Sequence, residues 1–490
     1  MKFRKILAGA LAAFMAVGSL SISAFAETDA SGDYEYQVLS DGTVSITKYL
    51  GKGGDVVIPS TIDGMAVSTV RTQAFRDLNS IINVLIPDSI TKIENSAFSR
   101  CSSLTAINVS DGNKYYTSVG GVVFNKDMTS IIRYPNGKKE ANYTIPNGVT
   151  KINDYAFNDC TSLAGVVIPD SVTSIGFGAF QGCSSLAEIN LPDSVTEIGD
   201  WAFVDCASLT EIVIPNSVTK IGETAFFKCA LAEINIPASV TQIGNLAFSR
   251  CNSLTAINVS DGNKYYISVD GVLFNKDMTS IIHYPAGKKE TGYVIPDGVT
   301  EIGTYAFEYC SSLTEIIIPD SVTEIAYGAF SRCFSLTEIV IPDGVTEING
   351  AVFEHCSSLT KIIIPDSITS IPDNAFSSSS NLTIYGYTGS YAENYANEEN
   401  IAFVALENAP ETTTATTATE PAATTAPEIT TEAPATSTSA PEVATEAPAA
   451  TTTAAVTDSA EENNVPTGLV ITFIPAIAAA AAIIITKKKM

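Results

Sequence analysis

The chain has 490 residues and a formal net charge of −26, from 27 basic and 53 acidic residues. Six basic residues sit at the extreme ends (Lys2, Arg4, Lys5 and Lys487 to Lys489), so residues 27–486 carry −32. That balance excludes a nucleic-acid binder, which needs clustered Lys and Arg. Two histidines and one tryptophan leave little material for histidine-based catalysis or a His-rich metal centre.

Residues 1–26 read as a secretory signal peptide. The basic start leads into an apolar run from Ile6 to about Val17, and the segment closes on Ala24-Phe25-Ala26, a small-residue cleavage site.

Next comes a repeat array. Ile-Pro or Leu-Pro pairs recur with prolines at 59, 87, 146, 169, 192, 215, 237, 296, 319, 342 and 365. The dominant spacing is 23 residues, with one of 22 where a residue is missing between Cys229 and Leu231. Two gaps of 59 hold one unit plus 36 extra residues. Phenylalanine marks the same units, from Phe75 and Phe98 to Phe353 and Phe376. In a typical unit Leu209, Ile212 and Ile214 form the inward face of a short strand that Pro215 ends. Val218 and Ile221 begin a second buried segment, Gly222 permits a turn, and Ala225-Phe226 starts a short helical turn that plugs the interior. One unit cannot bury its own apolar face; stacked units make a continuous core, so the fold is a solenoid.

A longer duplication overlies the short one, with Phe98 to Phe157 matching Phe248 to Phe307 at an offset of 150. Both copies carry the insertion, at about 110–144 and 260–294, with turns at Asp-Gly and Asn-Lys-Asp-Met. These are expected to be β-hairpins projecting from the array, on the face that often serves binding. Asp111, Asp127, Asp261 and Asp277 lack the alternating carboxylates of a calcium loop and read as turn residues.

Residues 407–464 are built from Thr, Ala, Pro and Glu, with ten acidic and no basic residues. Such a stretch cannot offset its ordering entropy and is expected to be a disordered stalk. The apolar run Leu469 to Thr486 follows, about 27 Å long as a helix, then three lysines that hold that end in the cytoplasm. Before it stands Asn464-Val465-Pro466-Thr467-Gly468, which resembles a sortase cell-wall sorting signal. It departs from that pattern, with no residue between Pro466 and Thr467 and no leucine before the proline. Anchoring through Pro466, Thr467 and Gly468 to the wall and anchoring by the membrane span (465–490 as a unit) both stand open.

The unit Leu-Thr-x-Ile-x-Ile-Pro-Asp-Ser-Val-Thr-x-Ile-Gly-x-x-Ala-Phe-x-x-Cys resembles the BspA-like leucine-rich repeat of bacterial surface proteins, over about residues 33–406. The resemblance implies an α/β repeat: a right-handed leucine-rich-repeat solenoid of about eleven 22–23-residue units over 58–380, with the two hairpin insertions. It also implies an N-terminal hairpin cap within 27–57 and a C-terminal cap over 381–406, with a short helix around 391–397. The family's assigned role is adhesion at the cell surface, without catalytic residues. No cofactor or metal is expected.

Nine cysteines sit one per unit, three residues after the phenylalanine, with Leu78 and Ser379 filling that slot at the ends. One aligned column suits packed thiols, since free cysteine behaves as a small hydrophobe; rung-to-rung disulfides are the alternative. His283 replaces Arg133 of the first copy, and His355 occupies a slot filled elsewhere by Asp, Gly or Arg; both are expected at exposed surface positions. The functional signal is the outward residue between the inward isoleucines of each strand. The candidate partner-binding face comprises Glu188, Asn190, Glu211, Val213, Glu233 and Asn235, and an apolar stripe of Ile317, Val340 and Ile363. Cover by the C-terminal cap is the competing explanation for that stripe. The expected function is non-catalytic, adhesin-like binding of an extracellular protein or glycan, with an envelope spacer or glycan-binding module as alternatives.

Overall fold

The computed structural model describes residues 26–406. The leader, the Thr/Pro-rich stretch, the apolar run and the motif Pro466-Thr467-Gly468 lie outside the described residues, apart from Ala26. The described chain is a β-solenoid of about sixteen turns with repeats of about 23 residues. Eleven was an undercount, because each insertion adds a turn of its own and the flanking segments add more. The expected α/β character is also corrected. Among the described residues there is one helix, Tyr391–Glu398, and the segments beginning at Ala225-Phe226 are hydrogen-bonded turns rather than helical ones.

Each turn has three sides. The first carries a short parallel strand, as in Gly165–Val167 beside Glu188–Asn190. The second carries a two-residue strand, as in Glu197–Ile198, Lys220–Ile221 and Gln242–Ile243, joined in parallel. On the third, alternate amides point along the array: those of Thr224, Phe226 and Lys228 donate to the carbonyls of Asn245, Ala247 and Ser249. The amides between them close local turns, with Ala225, Phe227 and Cys229 donating to Gly222, Thr224 and Phe226. This alternation puts Thr224 (φ 51°) and Lys228 (φ 59°) in the left-handed region. Backbone groups are thus satisfied on all three sides, the condition for burying them.

The core is columnar. The rings of Phe180, Phe203 and Phe226 stack at 5.3 and 5.4 Å with planes 1° apart. Tyr134 and Tyr284 hold the same place in the inserted turns, against Phe157 and Phe307 at 5.3 Å each. Tyr49 begins the column, 5.2 Å from Phe75, and Tyr395 of the helix ends it, 6.0 Å from Phe376. Gly222 serves close approach rather than the turn expected of it: a Cβ there would collide with the backbone of Gly199 and Asp200 in the preceding turn.

All nine cysteines are free and buried. Each thiol also donates a hydrogen bond to the aromatic residue one turn back, as in Cys183 to Phe157 O (3.1 Å), Cys206 to Phe180 O (3.2 Å) and Cys229 to Phe203 O (3.0 Å). Ser379 does the same with Phe353 O at 2.8 Å, which explains how a hydroxyl replaces the thiol in the last unit.

The insertions do not project. In the first, Tyr116–Val119 and Val122–Asn125 form an antiparallel hairpin whose second strand pairs with Ser130–Arg133, which rejoins the parallel ladder at Lys151–Ile152. Val122, Val123 and Phe124 are fully buried. Val123 packs into the core that precedes the hairpin, and Val122 and Phe124 into the one that follows. Leu273, between Val272 and Phe274, repeats the arrangement in the second copy. Each hairpin strand is a septum, apolar on both faces, and the two septa divide the interior into three cores. A run of three consecutive apolar residues is what burial on both faces requires, and the tyrosine- and lysine-rich flanks hide it.

Two outcomes test this packing. Iodoacetamide should leave all nine cysteines unmodified in the native chain and alkylate all nine after unfolding, as counted by mass spectrometry. Burial lifts the thiol of Cys101 to about 11 and those of Cys251 and Cys356 to about 12, so little reactive thiolate exists at these three at neutral pH. Phe203→Ala should cost about 3–5 kcal/mol in chemical denaturation, since it opens the ring column at its most regular point.

Candidate functional site

A short strand in a solenoid alternates inward and outward side chains, so every turn adds one outward residue to a shared column. On the first side, between residues 142 and 259, those residues are Thr144, Val167, Asn190, Val213, Asn235 and Asn258. Val167 and Val213 are 59% and 65% exposed, and Asn190 and Asn235 are exposed beside them. The apolar residues are separated by amides, so no continuous apolar patch forms here. Glu188 and Asn190 lie on the three-stranded sheet that starts at Asn142, and Glu233 and Asn235 on the pair with Ala256–Val259. Glu211 and Val213 fall between them in a segment outside the ladder, next to the 22-residue unit. The predicted acidic row is therefore exposed but interrupted at its centre.

The C-terminal part differs. Six strands from Gly292–Val294 to Ala402–Ala405 form one parallel sheet. The register places Val294 beside Ile317, Val340 beside Ile363, Ile363 beside Tyr385, and Tyr385 beside Val404. Glu315 pairs with Glu338, which puts Ile317 and Val340 on neighbouring strands. Val294 is 63% exposed and Ile317 and Val340 50% each, with Ile363 half-buried. At about 4.8 Å per strand the column runs for roughly 24 Å. A second outward column flanks it, containing Glu315, Glu338 and Lys361. Lys361 Nζ lies 3.3 Å from Glu338 Oε2 and 5.7 Å above the Tyr385 ring.

The stripe is longer than the three residues singled out from the sequence. Val294 was missed because its strand sits inside the insertion, although the Ile295-Pro296 marker follows it. Tyr385 and Val404 were missed because the last two strands have no proline marker. The segment 381–406 extends the sheet with these two strands, while the helix Tyr391–Glu398 covers the end of the core with Ala392, Tyr395 and Ala396. Among the described residues, the C-terminal cap does not cover the stripe.

The expectation for His283 is corrected. Variation between Arg133 and His283 suggested an exposed slot, yet both are buried, at 4% and 6% exposure. The terminal nitrogens of Arg133 donate internally, to Tyr155 O (2.6 Å), Phe98 O (3.1 Å) and Asn136 Oδ1 (2.5 Å), while its Nε has no partner among the described residues. His283 has a buried Nε2 without a partner among the described residues. Asp127 is a turn residue, its Oδ1 accepting from Thr129 N and Oγ1 at 3.1 and 2.7 Å.

With this geometry in hand, comparison with known proteins is decisive on kinship. The model of the BspA type leucine rich repeat region matches residues 55–143, 136–255 and 287–398. The chain belongs to the BspA-type leucine-rich repeat family. It is 31% identical to a leucine rich cell surface protein of Faecalibacterium prausnitzii, across 77% of this chain and 98% of that one, with a TM-score of 0.47. A leucine-rich repeat protein of Bacteroides ovatus is 28% identical across 78% and 100% (TM-score 0.41), and one of Eubacterium ventriosum 22% across 72% and 82% (TM-score 0.44). No curated protein matches the chain.

Burial lowers the His283 pKa from 6.5 to about 4. The unfolded chain therefore takes up that proton first as the pH falls, and acid favours unfolding. Stability should drop by about 3 kcal/mol between pH 6.5 and 4, relative to a His283→Gln variant titrated in the same way. Parallel pH profiles for the two proteins would refute the assignment.

Proposed function

We propose that the protein is a non-catalytic, adhesin-like binder at the bacterial cell surface that presents the outer face of its C-terminal sheet to a protein partner. The observation that carries this reading is the exposed apolar column from Val294 to Val404, flanked by Glu315, Glu338 and Lys361. Contiguous exposed apolar surface on a soluble scaffold marks interaction sites, and charged flanks set partner choice and register. Valine and isoleucine also favour strands on their own account, but β-propensity gives no reason for amides to alternate with valines in one half and for apolar residues to run unbroken in the other. Surface location is supported by the name of the Faecalibacterium relative and by the leader and tail patterns of the sequence. Display would follow either from the apolar run near the C-terminus or from cell-wall linkage at Pro466-Thr467-Gly468. The acidic positions Glu188, Glu211 and Glu233, with Asn190, Val213 and Asn235, form a second stretch of the same side, suited to lengthening a contact rather than founding it.

The test is binding of the purified chain to an array of extracellular-matrix and microbial surface proteins by surface plasmon resonance. Ile317→Asp with Val340→Asp should weaken a saturable interaction at least about tenfold, or about 1.4 kcal/mol. Melting should move by no more than the effect of an ordinary surface substitution. Unchanged affinity in this double variant would remove the column from consideration. Loss of binding on charge reversal of Glu188, Glu211 and Glu233 alone would move the site to the other stretch.

A further inference from the structure

The 150-residue duplication allows one site to be read against its own copy. In the first copy the Arg133 guanidinium is buried and donates to three backbone carbonyls, those of Phe98, Tyr155 and Asn158, and to Asn136 Oδ1. In the second copy the corresponding residues are Phe248, Tyr305, Glu308 and Ala286, and His283 stands where the arginine stood. In the second copy the carbonyls of Phe248 and Tyr305 each accept one backbone donor, the amides of Cys251 and Glu308. Among the described residues no side chain replaces the guanidinium on them. The imidazole is too short to do so, and its Nε2, on a residue only 6% exposed, has no hydrogen-bond partner.

The missing side chain leaves space. A cavity of about 120 Å³ lies beside Arg133, bordered also by Glu94 and Asp154. Its counterpart beside His283 is about 240 Å³, because Gly244 and Thr304 replace those two acids. Ligand pockets for drug-sized molecules run to about 300–1,000 Å³, so this one suits a fragment. Phe248, Tyr266 and Tyr305 give it aromatic walls, Ser280 and Glu301 contribute oxygens, and no lysine or arginine lines it. Glu301 stands where the first copy has Lys151, which removes a positive charge from the rim. Nearby Glu308 adds no free charge, since its carboxylate accepts from Ser249 and pairs with Arg250 (3.3 Å) and Arg332 (3.9 Å).

We infer that the cavity beside His283 is a binding site for a guanidinium group, whose donors would take the carbonyls that Arg133 occupies in the first copy together with the His283 ring nitrogen and the Glu301 carboxylate. The chemistry is consistent throughout. His283, Ser280 and Glu301 among the lining residues carry acceptor groups, aromatic residues in the lining favour a planar cation, and burial keeps His283 neutral near pH 7, so that its ring nitrogen can accept. The site lies away from the apolar column and does not depend on the role proposed for it. The guanidinium could come from a free metabolite or from an arginine side chain on a partner.

The test uses the full chain at pH 7.5, titrated with ethylguanidinium and, as control, ethylammonium, and followed by ligand-observed saturation-transfer NMR. Saturable binding of the guanidinium, with at least about tenfold preference over the ammonium, is expected. His283→Arg should abolish it by supplying the first copy's own group. Glu301→Lys, a rim substitution that leaves the core intact, should weaken it at least about tenfold, and it keeps the question answerable if His283→Arg fails to fold. Absence of saturable binding below about 20 mM in the unaltered chain overturns the inference. Equal binding by the unaltered chain and by Glu301→Lys overturns it as well. Tighter binding of an arginine-containing tripeptide than of free arginine assigns the seat to a partner's side chain, and the reverse order assigns it to a metabolite.

Discussion

Successive turns of this molecule lie one strand spacing apart, and everything else in the structure follows from meeting that spacing on three sides at once. The third side meets it with left-handed residues such as Thr224 and Lys228, whose conformation lets alternate amides reach the next turn. The interior meets it with rings, since stacked phenylalanines at about 5 Å match the repeat. Cysteine is used because a small side chain with a donor fits between neighbouring turns and reaches the carbonyl of the ring residue behind it. Glycine at 222 and its equivalents is used because the adjoining backbone leaves no room for a Cβ. Each of these residues is a solution to the same distance.

Function is then left to positions that the spacing does not constrain. The outward residue of each strand is one such position, and the two halves of the chain use it differently. Between residues 142 and 259 valines alternate with amides, whereas from Val294 onward the column is apolar without a break. The pair Arg133 and His283 is another such difference, in a place that the repeat does not visit. Where an internal cation bonds one junction and is missing from the next, the second junction holds a buried imidazole nitrogen that has no partner among the described residues.

Much of the architecture could be read from the chain, because periodicity and burial are the same fact in a solenoid. The 23-residue spacing, the phenylalanine column, the cysteine column and the outward positions of Ile317 and Val340 were all visible in the aligned units. What the alignment could not show lay where a unit departs from the consensus. Tyr134 and Tyr284 replace phenylalanine in the inserted turns, so these turns read as part of projecting hairpins rather than as rungs of the array. Tyr385 and Val404 sit on strands without a proline and so fell outside the count. His283 was misplaced because variability was taken as exposure, when the position is buried in both copies. The third side was misread as helical because its turns carry an Ala-Phe step that also suits a helix, while the inter-turn bonds that define it are invisible within one unit.

The hairpin strands Val122–Asn125 and Val272–Asn275 have a mechanical consequence. A repeat array with an unbroken interior transmits disorder from one turn to the next, because each turn contacts only its neighbours. Here the side chains on either side of each septum belong to different cores, so fraying that begins at one end meets a boundary where the apolar contacts change hands. Regions of distinct local stability are how a protein opens in parts without opening as a whole. In a stacked array such partitions act as crack arresters: fraying that opens the C-terminal core leaves the two before it standing, ready to template its return.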